Sequence, residues 1–359
     1  MKTATILGAR PQFIKAAPVT KVLRDKGHKE LLIHTGQHYD DEMSAVFFRD
    51  LELPEPDYNL GVGSGPHGRQ TGQMLIGIEK VLLAEKPDWV LVYGDTNSTL
   101  AGAVAACKLR IHLAHVEAGL RSFNREMPEE HNRVLTDHCS DLLFCPTQTA
   151  VNNLAKEGIT KGVHLVGDTM YDALLQFIEI ARRRSTILHD LELKPKSYLL
   201  ATVHRPYNTD NPENLCNIIN AFIQIQQPII FPVHPRTRRK IEELNLDYAI
   251  SQNGNPKLLD PVGYLDMLCL EQNAKMILTD SGGVQKEAYW LKVPCITLRD
   301  KTEWIETVKD KWNILVGANP KLIKKAIREF EGKKSADRIS PFCNGKTARN
   351  IINILLRTK

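Results

Sequence analysis

Three groups of residues carry side chains of the kind that move protons or hold phosphate. The first is acidic: Asp95, Glu117 and the adjacent pair Glu129-Glu130. Asp95 and Glu117 each follow an apolar run directly, so they end neighbouring strands and can converge. A buried or paired carboxylate has its pKa moved and can serve as general acid or base. Asp95 can equally cap the helix that Thr96-Asn97-Ser98 opens, and Glu129-Glu130 can load a helix N-terminus after Pro128. The second group is cationic: Gly8-Ala9-Arg10-Pro11 follows the first apolar run, and Lys15 lies on the helix beyond it. Arg10 and Lys15 offer two cations to a diphosphate, or form part of a solvated helix face. The third is Thr279-Asp280-Ser281-Gly282-Gly283, where a strand ends and a helix starts. Ser281 suits an N-cap, the glycines let a ligand approach the backbone, and free N–H groups at a helix start favour phosphate. Glu287, about a turn later, can accept from a ribose diol; the alternative is an ordinary capped turn. His204-Arg205 and His234 also close apolar runs, where a histidine either titrates near neutrality or is a satisfied structural residue.

These residues need elements that carry them to one edge. Short apolar runs alternate with amphipathic stretches along most of the chain. Strands are predicted at 3–7, 31–34, 89–93, 112–116, 142–145 and 164–166, and again at 198–202, 229–233, 276–279 and 295–298. Helices are predicted at 13–26, 41–50, 75–85, 97–108, 212–225, 265–273, 283–290, 320–330 and 347–356. Strand–helix alternation implies parallel sheets covered on both faces. Two such runs imply an α/β chain of two doubly wound, Rossmann-like domains joined near 168–190. Ligands of such sheets bind beyond the carboxyl ends of the strands, and with two domains those edges can face one cleft.

Composition narrows the partners. The chain has 359 residues, 42 % of them hydrophobic and 25 % charged, which suits two globular domains and excludes a disordered or fibrous chain. A net charge of +5 suits an anionic small molecule and does not point to nucleic acid. No apolar run approaches the ~20 residues of a membrane span, and the N-terminus reads as a buried strand and not a signal peptide. Seven scattered cysteines without a CxxC pair suggest a reduced, cytoplasmic chain with no zinc site. Gly8-Ala9-Arg10-Pro11, after the first strand, is not a GxGxxG fingerprint, so no nicotinamide cofactor is indicated. HExxH, Gly-x-Ser-x-Gly, P-loop and Asp-x-Asp motifs are absent, so no metal site is expected.

Taken in order, a series of longer motifs is specific. It comprises GARPQFIKAAPV at 8–19, TGQHYD at 35–40, YGDTNSTLAGA at 93–103, HVEAGLRSF at 115–123, MPEEHNR at 127–133 and VGDTMYDAL at 166–174. HR at 204–205, TDSGGVQKEA at 279–288 and TEW at 302–304 complete it. On these motifs the chain resembles, almost end to end, the non-hydrolysing UDP-N-acetylglucosamine 2-epimerases, which share the two-domain fold of GT-B glycosyltransferases. The resemblance implies inversion at C2 of a UDP-N-acetylhexosamine with no cofactor. UDP is eliminated across C1–C2 to give 2-acetamidoglucal, and adds back after reprotonation on the other face. It implies catalytic roles for Asp95, Glu117, Glu129 and His204. It also implies UDP-sugar contacts from Arg10, Lys15, His204, Arg205, Ser281, Gly282, Gly283 and Glu287. Domains are expected at 1–168 and, for UDP binding, 169–345, with a last helix at 346–359 crossing back to the first. A homodimer in surface-polysaccharide precursor synthesis is also implied.

Some positions depart from the family's bacterial members. Those carry arginine where this chain has Trp304 and glutamine where it has Val262, so the nucleotide contacts are expected to differ. Gln37 and His38 match part of an allosteric substrate site in those members, while the residues that follow do not. GARPQFIK, PVGY and TEW look most like a branch acting on UDP-2,3-diacetamido-2,3-dideoxyglucuronate. That sugar's carboxylate needs an extra cation, for which Arg121, Arg125, Arg205 and Arg236 are candidates. A GT-B glycosyltransferase is the competing class, and a hydrolysing epimerase a third reading.

Overall fold

A computed structural model describes residues 1–37, 48–331 and 345–358 of the chain. The chain divides into two compact units, Met1–Gln176 with Pro341–Lys359, and Phe177–Ser340. The junction falls inside the helix Thr169–Arg184, whose buried Met170, Ala173, Leu174, Phe177 and Ala181 recur at helical spacing.

The strands of the first unit are β1 (Lys2–Leu7), β2 (Lys29–His34), β3 (Tyr58–Asn59), β4 (Trp89–Tyr93), β5 (His112–Val116), β6 (Leu142–Cys145) and β7 (Val163–Leu165). They form one parallel sheet in the order β3-β2-β1-β4-β5-β6-β7. All five residues of β4 are buried, as expected of a strand covered on both faces. Ile6, Val90 and Val92 pack against Met74, Ile78 and Leu82 of the helix His67–Glu85 and against Ala101 and Ala105 of Asn97–Leu109. Each such aliphatic side chain contributes about 1.5–3 kcal/mol on burial.

The second unit contains β8 (Leu199–Thr202), β9 (Ile229–Pro232), β10 (Lys257–Leu259), β11 (Met276–Thr279), β12 (Cys295–Thr297) and β13 (Asn313–Leu315). Its sheet is also parallel, in the order β10-β9-β8-β11-β12-β13. The order reverses between β1 and β4 in one sheet and between β8 and β11 in the other. At such switch points the loops leave in opposite directions and open a crevice.

Several elements differ from the pattern reading. β3, β10 and β13 have two or three residues, too few for a period. The helix predicted from 75 starts at His67, because its first turns are polar. Helices at Gln148–Lys156, Pro235–Glu243 and Leu246–Asn253 carry too few apolar residues to stand out. Most of the helix predicted at 41–50 lies outside the described residues. The last helix, Thr347–Arg357, belongs to the first unit, where the Ala348 N–H donates to Asp172 at 2.8 Å. No helix among the described residues is long and apolar enough to cross a membrane.

Candidate functional site

Tyr93 and Val116 are register partners, so Gly94-Asp95 and Glu117 leave adjacent strands side by side. Glu117 has φ +73°, a left-handed conformation that costs a non-glycine residue about 1–2 kcal/mol. Its N–H is held by the Phe144 carbonyl at 3.1 Å. Its carboxylate forms an ion pair with the Lys15 ammonium, and both side chains are about nine-tenths buried. The cation expected for a diphosphate and a carboxylate expected for proton transfer thus meet in one pair.

Gly94 is the wall beside that pair. Its φ is +65°, and a Cβ there would lie 3.0 Å from Lys15 Nζ and 3.3 Å from Glu117 Oε2. Gly94→Ala is therefore expected to cost about 1–2 kcal/mol in backbone strain and to displace the ion pair. The readout is a lower denaturant midpoint together with reduced turnover. An alanine variant matching wild type in both would contradict this.

Asp95 has a different cation. Arg133, from the helix Pro128–Cys139, meets its carboxylate, and the Asn132 amide donates to its backbone oxygen at 2.9 Å. The helix-cap role open to Asp95 belongs to Thr96, which accepts from the Thr99 N–H at 3.3 Å. Arg133 also reaches Glu130 at 3.1 Å. Glu130 accepts from the Ser122 N–H at 2.9 Å, the Ser122 hydroxyl at 2.7 Å and the Phe123 N–H at 2.9 Å. It is thereby committed to holding the loop after β5. Glu129, half-buried, stands in the first turn of the same helix.

Arg10 is the first residue of the helix Arg10–Asp25. The loop before it is closed by buried Gln12, which accepts from the Gly8 and Ala9 N–H groups and donates to the Tyr93 carbonyl at 3.1 Å. Gln37 accepts from the Ser98 N–H at 3.1 Å and hydroxyl at 2.7 Å; His38 lies outside the described residues. Arg121, considered as an extra cation for the sugar, is instead buried among carboxylates. It donates to Asp137 at 2.7 Å and, with two nitrogens, to Glu157 at 2.7 Å each. Arg236 pairs with Asp210 at the surface, and Arg125 is exposed.

Burial alone would raise the Asp137 carboxyl, but the His115 ring and Arg121 together hold it below the usual carboxylate range. A folded value below the unfolded ~3.9 means stability that is complete above that pH and lost as pH falls through the folded value. Asp137→Asn is accordingly expected to lose less stability than wild type between about pH 5 and about pH 3 in denaturant titrations. Equal acid slopes for the two proteins would contradict this.

In the second unit Thr202 and Thr279 are register partners, which brings the loops after β8 and β11 together. Asp280, fully buried, gathers three donors: the His204 N–H at 3.1 Å, the Arg205 N–H at 3.0 Å and the Asn208 amide at 3.0 Å. His204 Nδ1 stands 3.8 Å from Asp280 Oδ1. Ser281 caps the helix Gly282–Trp290, accepting from the Val284 N–H at 3.5 Å. The first N–H groups of that helix, from Gly282 and Gly283, lie at the strand's end. Glu287, nearly buried, accepts from the Tyr264 hydroxyl at 3.1 Å. Trp304 is buried with the Lys286 ammonium 4.0 Å from its ring centroid, so one ring face is occupied by a cation. Val262 packs against an apolar cluster. His234 is a helix cap, its Nδ1 accepting from the Arg236 N–H at 3.2 Å.

Burial disfavours ionisation at two thiols among the described residues. The described cysteines are free, and burial pushes those of Cys145 and Cys295 up to about 12. Pattern reading missed His115, Arg133, Asp137 and Tyr264, and passed over Gln12. His115 was hidden inside an apolar strand. Arg133 and Asp137 were hidden on a helix whose ordinary polar spacing marks nothing.

The chain matches the family model described as UDP-N-acetylglucosamine 2-epimerase over residues 20–356. It is 58 % identical to a UDP-N-acetylglucosamine 2-epimerase homolog of Methanococcus maripaludis over 356 residues, 99 % of each chain. It is 48 % identical over 364 residues to the UDP-2,3-diacetamido-2,3-dideoxy-D-glucuronate 2-epimerase of Pseudomonas aeruginosa, covering 99 % of this chain and 100 % of that one. The crystal structure of the Methanocaldococcus jannaschii UDP-GlcNAc 2-epimerase with UDP-GlcNAc and UDP superposes with a TM-score of 0.94 at 51 % identity, covering 99 % of this chain and 100 % of that chain. The fold is accordingly GT-B-like.

Proposed function

The chain belongs to the UDP-N-acetylglucosamine 2-epimerase family, a family of isomerases, and from that premise we propose that it interconverts UDP-N-acetylglucosamine and UDP-N-acetylmannosamine. The observation that carries the reading is the pair of cation-matched carboxylates, Glu117 with Lys15 and Asp95 with Arg133, on adjacent strand ends. Carbon 2 has no neighbouring carbonyl, so its proton leaves only as UDP leaves C1. A carboxylate takes the proton, the C1–O bond breaks with its electron pair going to UDP, and 2-acetamidoglucal results. Return of a proton to the opposite face and re-addition of UDP give the epimer. Asp95 and Glu117 are the proton-transfer groups in this reading, and Glu129 assists or holds the sugar. The reaction is redox-neutral and calls for no cofactor.

In the second unit His204, Arg205 and the helix start at Ser281, Gly282 and Gly283 hold the diphosphate, and family resemblance supports Arg10 and Lys15 as UDP-sugar contacts. Their attraction strengthens as charge develops on the leaving group, which lowers the barrier. Glu287, oriented by Tyr264, takes the ribose. We place the protein in the cytoplasm as a homodimer supplying surface-polysaccharide precursors. Free, scattered cysteines support a reducing compartment, and family resemblance supports the dimer.

Incubation with UDP-N-acetylglucosamine, resolved by chromatography, tests the reading. The expected result is a stable mixture of two UDP-sugars. Accumulation of UDP with free sugar would overturn it in favour of hydrolysis. The Pseudomonas relative favours a second reading, the same chemistry on the diacetamido uronate; a higher kcat/KM for that sugar would establish it.

A further inference from the structure

His115 lies wholly buried in β5 with an acceptor against each ring nitrogen. Nδ1 faces Asp137 Oδ1 at 2.7 Å, and Nε2 faces the Gly94 carbonyl at 2.7 Å. A backbone carbonyl can only accept, so Nε2 carries the proton of the bond to Gly94. Asp137 spends its other oxygen on Arg121 at 2.7 Å and the Gly119 N–H at 3.1 Å, and Arg121 is clamped by Glu157. A run of four side chains, Glu157, Arg121, Asp137 and His115, thus ends on one backbone carbonyl. That carbonyl belongs to the residue before Asp95, and His115 stands two residues before Glu117. The Gly94 N–H is also tied to β5, through the Val116 carbonyl at 3.0 Å. Gly94 itself is the wall of the Lys15–Glu117 pair.

We propose that His115 is a positioning residue for both carboxylates, fixing the Gly94-Asp95 turn to the Glu117 strand end through its bond to the Gly94 carbonyl. This rests on the epimerase reading above. A displacement of about an ångström at a reacting group can cost on the order of 100-fold in rate, so the tether governs turnover more than binding.

Two substitutions separate the two bonds. Asparagine places its amide nitrogen near the site of Nδ1, keeping a donor for Asp137 and losing the Gly94 tether. Glutamine places its nitrogen near Nε2, keeping the tether and losing the Asp137 pair. Deuterium exchange at C2 of UDP-N-acetylglucosamine in D2O is measured per mole of UDP-binding protein, beside denaturant midpoints and UDP affinity. His115→Asn is expected to lose about 100-fold in kcat and His115→Gln less than about 10-fold, with UDP affinity within about threefold in both. That order holds although the glutamine variant breaks the buried His115–Asp137 bond and unfolds earlier. The double variant His115→Gln/Asp137→Asn, with an amide pair in place of the imidazole–carboxylate pair, is expected to regain midpoint and keep turnover. Turnover that follows the midpoints, with glutamine the worse, would overturn the proposal, as would near-wild-type turnover in His115→Asn. Wild-type protein is measured alongside. Absence of exchange there, with UDP-N-acetylglucosamine and with the diacetamido uronate alike, would overturn the epimerase reading and this one with it, whereas normal wild-type exchange confines any failure to His115.

Discussion

Glu117→Gln is expected to reduce proton exchange at C2 by about 10²–10⁴-fold, the usual contribution of a general acid–base group, while UDP affinity stays within about threefold. The amide is isosteric with the carboxylate, so Lys15 keeps an oxygen to meet and the left-handed backbone at φ +73° is unchanged. What is lost is the ability to accept a proton. UDP titration calorimetry and NMR exchange on the same preparation check both halves, and near-wild-type exchange would remove Glu117 from the proton-transfer step. Lys15→Met makes the complementary case. Without its ammonium, a carboxyl about nine-tenths buried loses a partner that favours its charged form. The acid limb of the pH–rate profile is then expected to move to higher pH, and an unmoved limb would show that Lys15 does not govern the carboxylate.

Asp280→Ala is expected to be the most destabilising change near the second switch point. Its carboxylate satisfies the His204 and Arg205 N–H groups and the Asn208 amide, all from the loop after β8. Each buried donor left without an acceptor costs about 1–3 kcal/mol. A combined loss of at least about 3 kcal/mol, from three such donors, is expected in denaturant unfolding. UDP affinity should fall with it, since the same loop carries His204 and Arg205 and lies against the helix start at Ser281. Asp280→Asn keeps one acceptor oxygen and should fall between. A wild-type midpoint in the alanine variant would show that Asp280 is not the anchor of this loop.

Much of this architecture could be read from spacing. The run Trp89–Tyr93 is apolar throughout and ends in Gly94-Asp95, and the run Met276–Thr279 ends in Asp280-Ser281. The loops after both emerge where their sheets reverse order. Ser281 as a helix cap needed only its place after a strand and before two glycines. The pairings could not be read. Lys15 is far from Glu117 in sequence, and Arg133 from Asp95, and nothing in composition says which cation meets which carboxylate. Arg121 looked like a cation available for a ligand because its two carboxylate partners come from helices distant in the chain. Glu130 and Glu129 looked alike, yet one is turned into the Ser122–Phe123 backbone. His115 was read as a strand residue, which it is; its charge partners appear only when helix Pro128–Cys139 is laid against β5.

In the proposed reaction this protein moves the proton at C2. Proton NMR of the wild-type chain with UDP-N-acetylglucosamine in D2O, with no added cofactor, tests it most directly. The expected result is appearance of the manno epimer and loss of the C2 proton signal in both sugars as deuterium enters. Retention of the C2 proton in that sugar and in the diacetamido uronate, by a preparation that binds UDP, would contradict it.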